Sequence, residues 1–259
     1  MGKCKEIVIK VIPQRLAHDF VRKHHYSHKV INNTVVNFGC FLNGFLHGVL
    51  QYGPSLDKSK VIQLVQNTKW NDYLELNRMA FDDFLPRNAE SYCIGKTIRM
   101  IQKQAPNIKW IISYADGCSC GDGTIYRASN FILTGIKKNN SIFLLPNGEK
   151  IQGMTLSGVS KTTPRPELNG KCIAEIFGGV FDKRKYMEIT GAKIMEGFQL
   201  RYIYFIDKKY RQFLTVPEIP FTDIDKLGAG MYKGQNITRA ERHAKKTEKT
   251  PNENGINTE

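Results

Sequence analysis

The chain has 259 residues, and its 41% hydrophobic content is enough to bury a core in one large domain. No apolar run reaches the roughly 18 residues of a membrane span, the charged start is not typical of a signal peptide, and the six scattered cysteines predict reduced thiols and a cytoplasmic location. The net charge of +14 favours a polyanion such as nucleic acid as partner, although a basic proteome background would give the same value.

The apolar periodicity predicts alternating strands and helices over the first half of the chain. Strands follow from a period of two, helices from apolar residues three and four apart, and Asn43-Gly44 is a strong hairpin signal. The predicted elements are a strand at 5–12, a helix from Pro13 to residue 26, two strands within 35–53, a strand at 72–81, a helix at 90–104, a strand at 109–116 and a helix capped by Thr124. The order is therefore β-α-β-β-β-α-β-α.

The second half of the chain is richer in Gly, Pro and Thr. Short strands are predicted in IFLLP (142–146) and CIAEIFGG (172–179), followed by a strong strand at 200–207. Residues 232–259 contain almost no apolar side chains, so we expect a disordered basic and polar tail, or a frayed helix, that the protein can lose. We predict a single catalytic domain at 1–231 with a β-rich elaboration at 137–200.

The element order resembles the GNAT acyltransferase fold, a mixed and mostly antiparallel central sheet flanked by helices. That fold binds an acyl-CoA pyrophosphate through a Q/R-x-x-G-x-G/A signature, but the aligned residues 87–92 here read RNAESY and lack both glycines. The donor therefore stays open. Polar side chains around this strand end and helix start are the predicted donor-binding residues, namely Asn77, Arg78, Arg87, Asn88 and Ser91.

A polar, glycine-rich turn joins the strand at 109–116 to the next helix. Asp116 lies at the carboxyl end of the strand, where open α/β sheets bind ligands, although a turn-forming aspartate is the structural alternative. Tyr126 and Asn130 are four residues apart and are expected on one helix face, although a tyrosine there is often a core residue. His25 and Tyr26 end the first helix. We predict that these residues are catalytic.

The turn also contains Cys118 and Cys120. A C-x-C pair is a weak metal signal, because tetrahedral sites usually use wider loops such as C-x-x-C. The segment LRYIYFIDKKYRQF interleaves aromatic and basic residues, which suits contact with a DNA backbone but is equally typical of a strand with solvated basic residues. The predicted DNA-binding residues are Arg201, Lys208, Lys209 and Arg211.

Five segments resemble the Mom family of phage DNA-modification proteins and occur in the family's order. They are HHYSHK (24–29), ELNRMAFDDFLPRNAES (75–91), KWIISYADG (109–117), GTIYRASNF (123–131) and LRYIYFIDKKYRQFLTVPEIPF (200–221). The resemblance implies transfer of a carbamoylmethyl-type group to the exocyclic amine of adenine in double-stranded DNA, inside the bacterial host and as protection from restriction. It leaves the donor undetermined and allows an acyl-CoA-like molecule or bound iron.

That chemistry gives the predicted residues their roles. Adenine's amine is a poor nucleophile, so a base or strong acceptor is needed beside it, and Asp116 or His25 can serve. Tyr126 can donate a proton or stack on a flipped base. Two alternatives remain open: a GNAT N-acetyltransferase that acts on a small amine or protein, and a basic DNA-binding protein without catalytic activity.

Overall fold

The computed structural model describes residues 3–157 and 161–247, which divide into two compact units. One unit comprises the chain up to Ile136 and from Leu200 onward, and the other is Lys137–Gln199. The first stretch contains a 3-10 helix (Lys3–Glu6), β1 (Val8–Val11), α1 (Gln14–His24), β2 (Val36–Leu42), β3 (Phe45–Gly53), α2 (Lys58–Ile62), β4 (Tyr73–Phe81), α3 (Ala89–Gln104), β5 (Trp110–Gly117), α4 (Thr124–Ala128) and β6 (Ile132–Lys138).

The rest of the chain contains shorter elements. They are β7 (Ile142–Leu144), β8 (Lys150–Gln152), 3-10 helices at Gly153–Leu156 and Pro166–Leu168, α5 (Ile173–Phe177), α6 (Lys183–Thr190), β9 (Lys193–Ile194), β10 (Phe198–Phe205), a 3-10 helix at Lys208–Phe213, α7 (Thr222–Lys226), β11 (Met231–Tyr232), β12 (Gln235–Asn236) and α8 (Arg239–Thr247). In the described part of the chain, no helix is long and apolar enough to cross a membrane.

A seven-stranded sheet in the order β1-β2-β3-β4-β5-β10-β6 forms the larger unit. The first four strands pair antiparallel with their neighbours, and β4 pairs parallel with β5. The mixed α/β class, the mostly antiparallel sheet and the predicted order of strands and helices up to α4 are therefore confirmed, apart from the short helix α2, which the periodicity did not reveal. Strand β6 was not predicted. The predicted Asn43-Gly44 hairpin is also present, with both residues at positive φ.

Helices cover both faces of this sheet. Helix α1 packs on the face that contains Val49 of β3, whereas the Tyr52 hydroxyl of the same strand lies 2.7 Å from Thr97 of α3. Because Val49 and Tyr52 are three residues apart in one strand, α1 and α3 lie on opposite faces. Helix α2 packs on the α1 face through Val61, against a cluster that includes Ile112 of β5. The sheet therefore lies between two helical layers.

The unit Lys137–Gln199 has its own aromatic and aliphatic core and a three-stranded sheet in the order β8-β7-β9. The predicted β-rich elaboration is only partly correct, because CIAEIFGG forms helix α5 rather than a strand. The Glu175 carboxylate accepts the Cys172 backbone N–H at 2.6 Å, and Gly178 ends the helix at a φ of 63°. These two caps fix a helix that is too short to show a periodic apolar pattern.

For residues 232–259 the sequence predicts disorder or a frayed helix, and the part that the structure describes contains a helix rather than a disordered tail. The segment forms β12 and α8, and residues 248–259 lie outside the described chain. Thr238 and Glu241 cap α8 reciprocally, since the Thr238 N–H donates to Glu241 Oε2 at 2.7 Å and the Glu241 N–H donates to Thr238 Oγ1 at 3.2 Å. This T-x-x-E capping box was a helix signal in the sequence.

Candidate active site

Strands β4 and β5 separate at the carboxyl end of their parallel pairing. They pair through residues 73–75 and 110–112, and beyond this point β4 continues to pair with β3. A side chain spans the gap, because the Ser113 hydroxyl donates a hydrogen bond to the Leu76 carbonyl oxygen at 3.1 Å. A β-bulge in the β3–β4 pairing bends β4 in the same region. The polar side chains around this gap form the candidate active site.

Tyr26 and Asp116 are 90 positions apart in sequence and meet at the gap. The Tyr26 hydroxyl donates a hydrogen bond to Asp116 Oδ2 at 3.1 Å, and the Cys118 backbone N–H donates to Oδ1 at 3.0 Å. Burial of the hydroxyl and the neighbouring carboxylate raise the pKa of Tyr26, so the phenol remains a proton donor toward Asp116 at neutral pH. The contact joins the end of α1 with the end of β5, the two segments in which the sequence predicts catalytic residues.

His25 is the C-cap residue of α1 and packs against Tyr26, with ring centroids 4.3 Å apart. Its Nδ1 accepts the Ser27 backbone N–H at 3.1 Å, so the neutral imidazole carries its proton on Nε2. Burial, together with the nearby Arg78 and His28, lowers the pKa of His25 to about 3. His25 is therefore neutral at pH 7 and serves as a hydrogen-bonding group rather than a cation.

Arg78 of β4 lies in this group rather than in a separate donor site. Its Nε donates to the Lys29 carbonyl oxygen at 3.1 Å, and its guanidinium is close enough to Tyr26 and Asp116 to interact with them electrostatically. Burial lowers the pKa of Arg78, an effect that the surrounding tyrosines and carboxylates oppose. Arg78 therefore lies beside the predicted catalytic residues, and its role in donor binding stays a prediction.

Glu75 is a candidate that the sequence analysis missed. Burial raises the pKa of its carboxyl group, opposed chiefly by the Ser55 hydroxyl and the Arg78 guanidinium. A carboxyl group with a raised pKa beside a gap in a sheet is suited to proton transfer. The sequence carried a signal, since Glu75 is a carboxylate within the strand β4 and lies two residues after Tyr73, on the same face.

The predicted shared face of Tyr126 and Asn130 is wrong. Helix α4 ends at Ala128, and Asn130 lies beyond it with a left-handed φ of 63° and an exposed side chain. The predicted cap is also shifted by one residue, because Gly123 is the N-cap residue and Thr124 is the first residue of the helix. Because the helix ends two residues before Asn130, Tyr126 and Asn130 do not share a helix face.

Tyr126 lies on the opposite side of β5 from Asp116. It is buried, its hydroxyl oxygen lies 2.9 Å from the Ser113 hydroxyl oxygen in a hydrogen bond, and burial raises its pKa to about 12. Because Ser113 and Asp116 are three residues apart in the strand, their side chains point to opposite faces. Tyr126 therefore approaches the gap from the α3 side, whereas Tyr26 and Asp116 approach it from the α1 side.

A cavity of about 390 Å³ lies beside the start of α3 and contains three of the predicted donor-binding residues. The polar residues that line it include Lys5, Arg87, Asn88, Ser91, Arg99 and Asn130. Three basic side chains and a helix N-terminus make this cavity favourable for an anion. Asn77, in contrast, is buried and donates to the Pro54 carbonyl oxygen at 3.3 Å, away from this cavity's lining.

The two cysteines of the turn differ in environment. Cys118 is buried and Cys120 is exposed. Within residues 3–157 and 161–247, no group of three or more His, Cys, Asp or Glu side chains is arranged to hold a metal ion.

The four predicted DNA-binding residues have different environments. Arg201 is partly buried, with its Nε 3.0 Å from Thr134 Oγ1 and a second hydrogen bond to the Thr134 carbonyl oxygen at 2.7 Å. Arg211 forms a two-pronged ion pair with Glu218. Lys208 and Lys209 are exposed, at the start of the 3-10 helix after β10. These two lysines are therefore better placed than the arginines for phosphate contacts.

Solved structures similar to this chain are acetyltransferases. A Bacillus subtilis acetyltransferase in complex with CoA is 9% identical, with 77% of this chain and 99% of that chain covered at a TM-score of 0.40. A GNAT family acetyltransferase from Elizabethkingia anophelis with acetyl-CoA bound is 10% identical, with 78% and 99% covered at a TM-score of 0.41.

A protein-family model and a protein of known name both match most of this chain. The model of the Mom protein family matches residues 6–223, which include every segment around the candidate site. The methylcarbamoylase Mom of Escherichia phage Mu is 30% identical over 211 residues, which cover 82% of this chain and 80% of that protein. The region matched by the family model contains both Tyr26 and Asp116. This chain belongs to the Mom protein family.

Proposed function

We propose that this protein transfers a carbamoylmethyl-type group to the exocyclic amine of adenine in phage DNA and thereby protects the DNA from host restriction. The protein is a transferase of the Mom family, and its relative in phage Mu is named a methylcarbamoylase. The observation that carries the proposal is the hydrogen bond between Tyr26 and Asp116, which brings two family segments together at the gap between β4 and β5.

The chemistry of the amine requires an acceptor at this position. The lone pair of adenine's amine is delocalised into the ring, so attack on the donor carbon needs a group that accepts an amine proton. The new C–N bond forms as the bond between that carbon and its leaving group breaks, and the amine proton passes to a carboxylate. We assign the role of proton acceptor to Asp116. A carboxylate accepts about four hydrogen bonds, and the Asp116 carboxylate is already oriented by Tyr26 and Cys118.

The base must leave the duplex to reach this gap. Tyr26 and Tyr114 are 45% and 41% exposed, and Tyr114 lies on the same face of β5 as Asp116, two residues away. Flipped bases commonly stack on aromatic side chains, so these rings provide a platform for adenine. The exposed Lys208 and Lys209, with the net charge of +14, supply phosphate attraction.

The donor is assigned to the opposite side of the gap. The cavity beside α3 contains Lys5, Arg87 and Arg99, which suit the phosphates of an acyl-CoA-like molecule. Tyr126 lies on this side of β5 and is a protonated phenol at neutral pH, because its pKa is raised to about 12. It is therefore suited to donate a proton to the leaving group.

The test is mass analysis of nucleosides from a plasmid co-expressed with the protein. We expect a modified deoxyadenosine heavier by one carbamoylmethyl group and a plasmid resistant to restriction. A matched culture that expresses Tyr26→Phe controls for modification by the host. Unmodified DNA together with acetylated small amines or proteins would favour an N-acetyltransferase, whereas unmodified but tightly bound DNA would favour a binding protein, and either result would overturn the proposal.

A further inference from the structure

The loop between β5 and α4, residues 118–123, contains a buried carboxylate. The Asp122 side chain is 0% exposed, although the loop connects Asp116 at one end with Tyr126 at the other. A carboxylate removed from water is strongly unfavourable unless cations and hydrogen-bond donors surround it. The partners of Asp122 are therefore expected to fix the conformation of this loop, which we call the active-site loop.

Two arginines bracket the Asp122 carboxylate. Arg127, from α4, donates to Oδ1 at 3.1 Å, and Arg242, from α8, donates to Oδ2 and to Oδ1. Arg242 also donates to Thr124 Oγ1 at 3.0 Å, and its side chain is only 10% exposed. A two-pronged arginine–carboxylate contact fixes orientation as well as charge. Arg242 is thus a specific partner of the loop and not a surface cation.

The backbone leading to Arg242 also pairs with the loop. We call residues 231–242 the C-terminal arm. The Asp122 N–H donates to the Met231 carbonyl oxygen at 2.9 Å, and the Gly234 N–H donates to the Cys120 carbonyl oxygen at 3.0 Å. A β-bridge between Gly121 and Tyr232 lies between these two bonds. The arm therefore adds a short strand along the loop.

The loop in turn supports the candidate catalytic carboxylate. The Asp116 carbonyl oxygen accepts the N–H groups of Cys120 and Gly121 at 3.0 and 3.1 Å. Gly123 ends the loop at a φ of 82°, and a Cβ there would lie 2.4 Å from the Tyr202 ring, so the loop has little room to shift. A displacement of the loop would therefore move Asp116 relative to Tyr26.

We infer that Arg242 is a positioning residue, and that the C-terminal arm clamps the active-site loop so that Asp116 meets the substrate in the correct place. The family model ends at residue 223, so the arm lies beyond the matched region. The contacts also contradict the expectation that residues 233–247 are dispensable. The catalytic part of the inference rests on the proposed function, whereas the clamping part does not.

The test combines hydrogen exchange of the full-length protein with plasmid modification. Arg242→Met removes the two-pronged contact with Asp122 and keeps the approximate length of the side chain, whereas Arg242→Lys keeps the charge. Arg239→Met is the matched control, because Arg239 is an exposed residue of the same helix. In Arg242→Met we expect the amides of residues 120–122 to exchange at least about tenfold faster and modification to fall by about tenfold or more. Arg242→Lys should lie between this variant and the wild type.

The exchange and modification measurements separate the possible outcomes. Unchanged exchange of the Asp122 amide in both Arg242 variants would overturn the clamp. Faster exchange with wild-type modification would overturn the positioning role. If Arg242→Met does not fold, Arg242→Lys decides, because it retains a cation beside Asp122. If the wild type modifies no DNA, the proposed function fails, and the exchange result alone decides the clamp.

Discussion

Replacement of Asp116 by asparagine tests the candidate site most directly. The wild-type carboxylate accepts the Cys118 N–H at 3.0 Å through Oδ1 and the Tyr26 hydroxyl at 3.1 Å through Oδ2. Asparagine keeps one carbonyl oxygen for Cys118, while its amide N–H₂ faces Tyr26, which can accept a hydrogen bond instead of donating one. The substitution therefore removes the charge and the proton acceptor but preserves most of the local structure.

The two consequences of Asp116→Asn differ in size. A hydrogen bond to a charged group contributes about 1 kcal/mol more than a neutral one, so we expect a stability loss of about 1 kcal/mol, or a melting temperature lower by about 3 °C. Removal of a positioned base lowers a rate by about 100-fold, or about 2.7 kcal/mol in activation free energy. The loss of modification should therefore far exceed any loss of folded protein.

The assay is the fraction of modified adenine in a co-expressed plasmid, measured beside a thermal melt of each purified protein. Asp19→Asn is the matched control, because it removes one carboxylate from an exposed ion pair with Arg22. It should change stability by less than about 0.5 kcal/mol and leave modification unchanged. A stable Asp116→Asn protein with wild-type modification would refute the reasoning and shift the role of proton acceptor to Glu75 or His25.

Three other predictions concern pH, salt and the α3 side of the gap. Because the pKa of His25 is 6.5 in the unfolded chain and about 3 in the folded protein, the free energy of unfolding falls as pH drops below 6.5. Between pH 7 and pH 5, urea unfolding should show that the wild type loses about 2 kcal/mol more of this free energy than His25→Gln does. Equal losses in the two proteins would contradict this. Replacing Lys208 and Lys209 by glutamine should reduce the salt slope of duplex binding, measured by anisotropy, by about 1.8; an unchanged slope would exclude phosphate contacts. Tyr126→Phe should cost about 1 kcal/mol in urea unfolding, because it removes the hydrogen bond with the Ser113 hydroxyl, and it should lower modification about tenfold. Full modification would remove Tyr126 from the mechanism.

The order of elements and the main segments of the site were predictable from the sequence, because they depend on local patterns. A strand pattern marked β4, a buried apolar run marked β5 and the Asn43-Gly44 pair marked the hairpin. Asp116 was predicted as a site residue from its place at a strand end. Local patterns failed where an element was too short to show a period. Helix α5 was taken for a strand, and α4 was extended past Ala128 to include Asn130.

Only the tertiary structure decided which of these residues meet. The contact of Tyr26 with Asp116, the position of Arg78 beside them and the buried pair of Arg242 with Asp122 join residues 38 to 120 positions apart. No local pattern encodes such distances, because they follow from how α1, β4, β5 and α8 pack together. The polar composition of the C-terminal segment also gave an incomplete prediction. Arg242 belongs to this segment, which has almost no apolar residues, and it is held in place because the buried Asp122 carboxylate requires a cation. The sequence by itself determined the class, the family and the segments of the site, whereas long-range packing and the burial of charge determined the site's composition and its support.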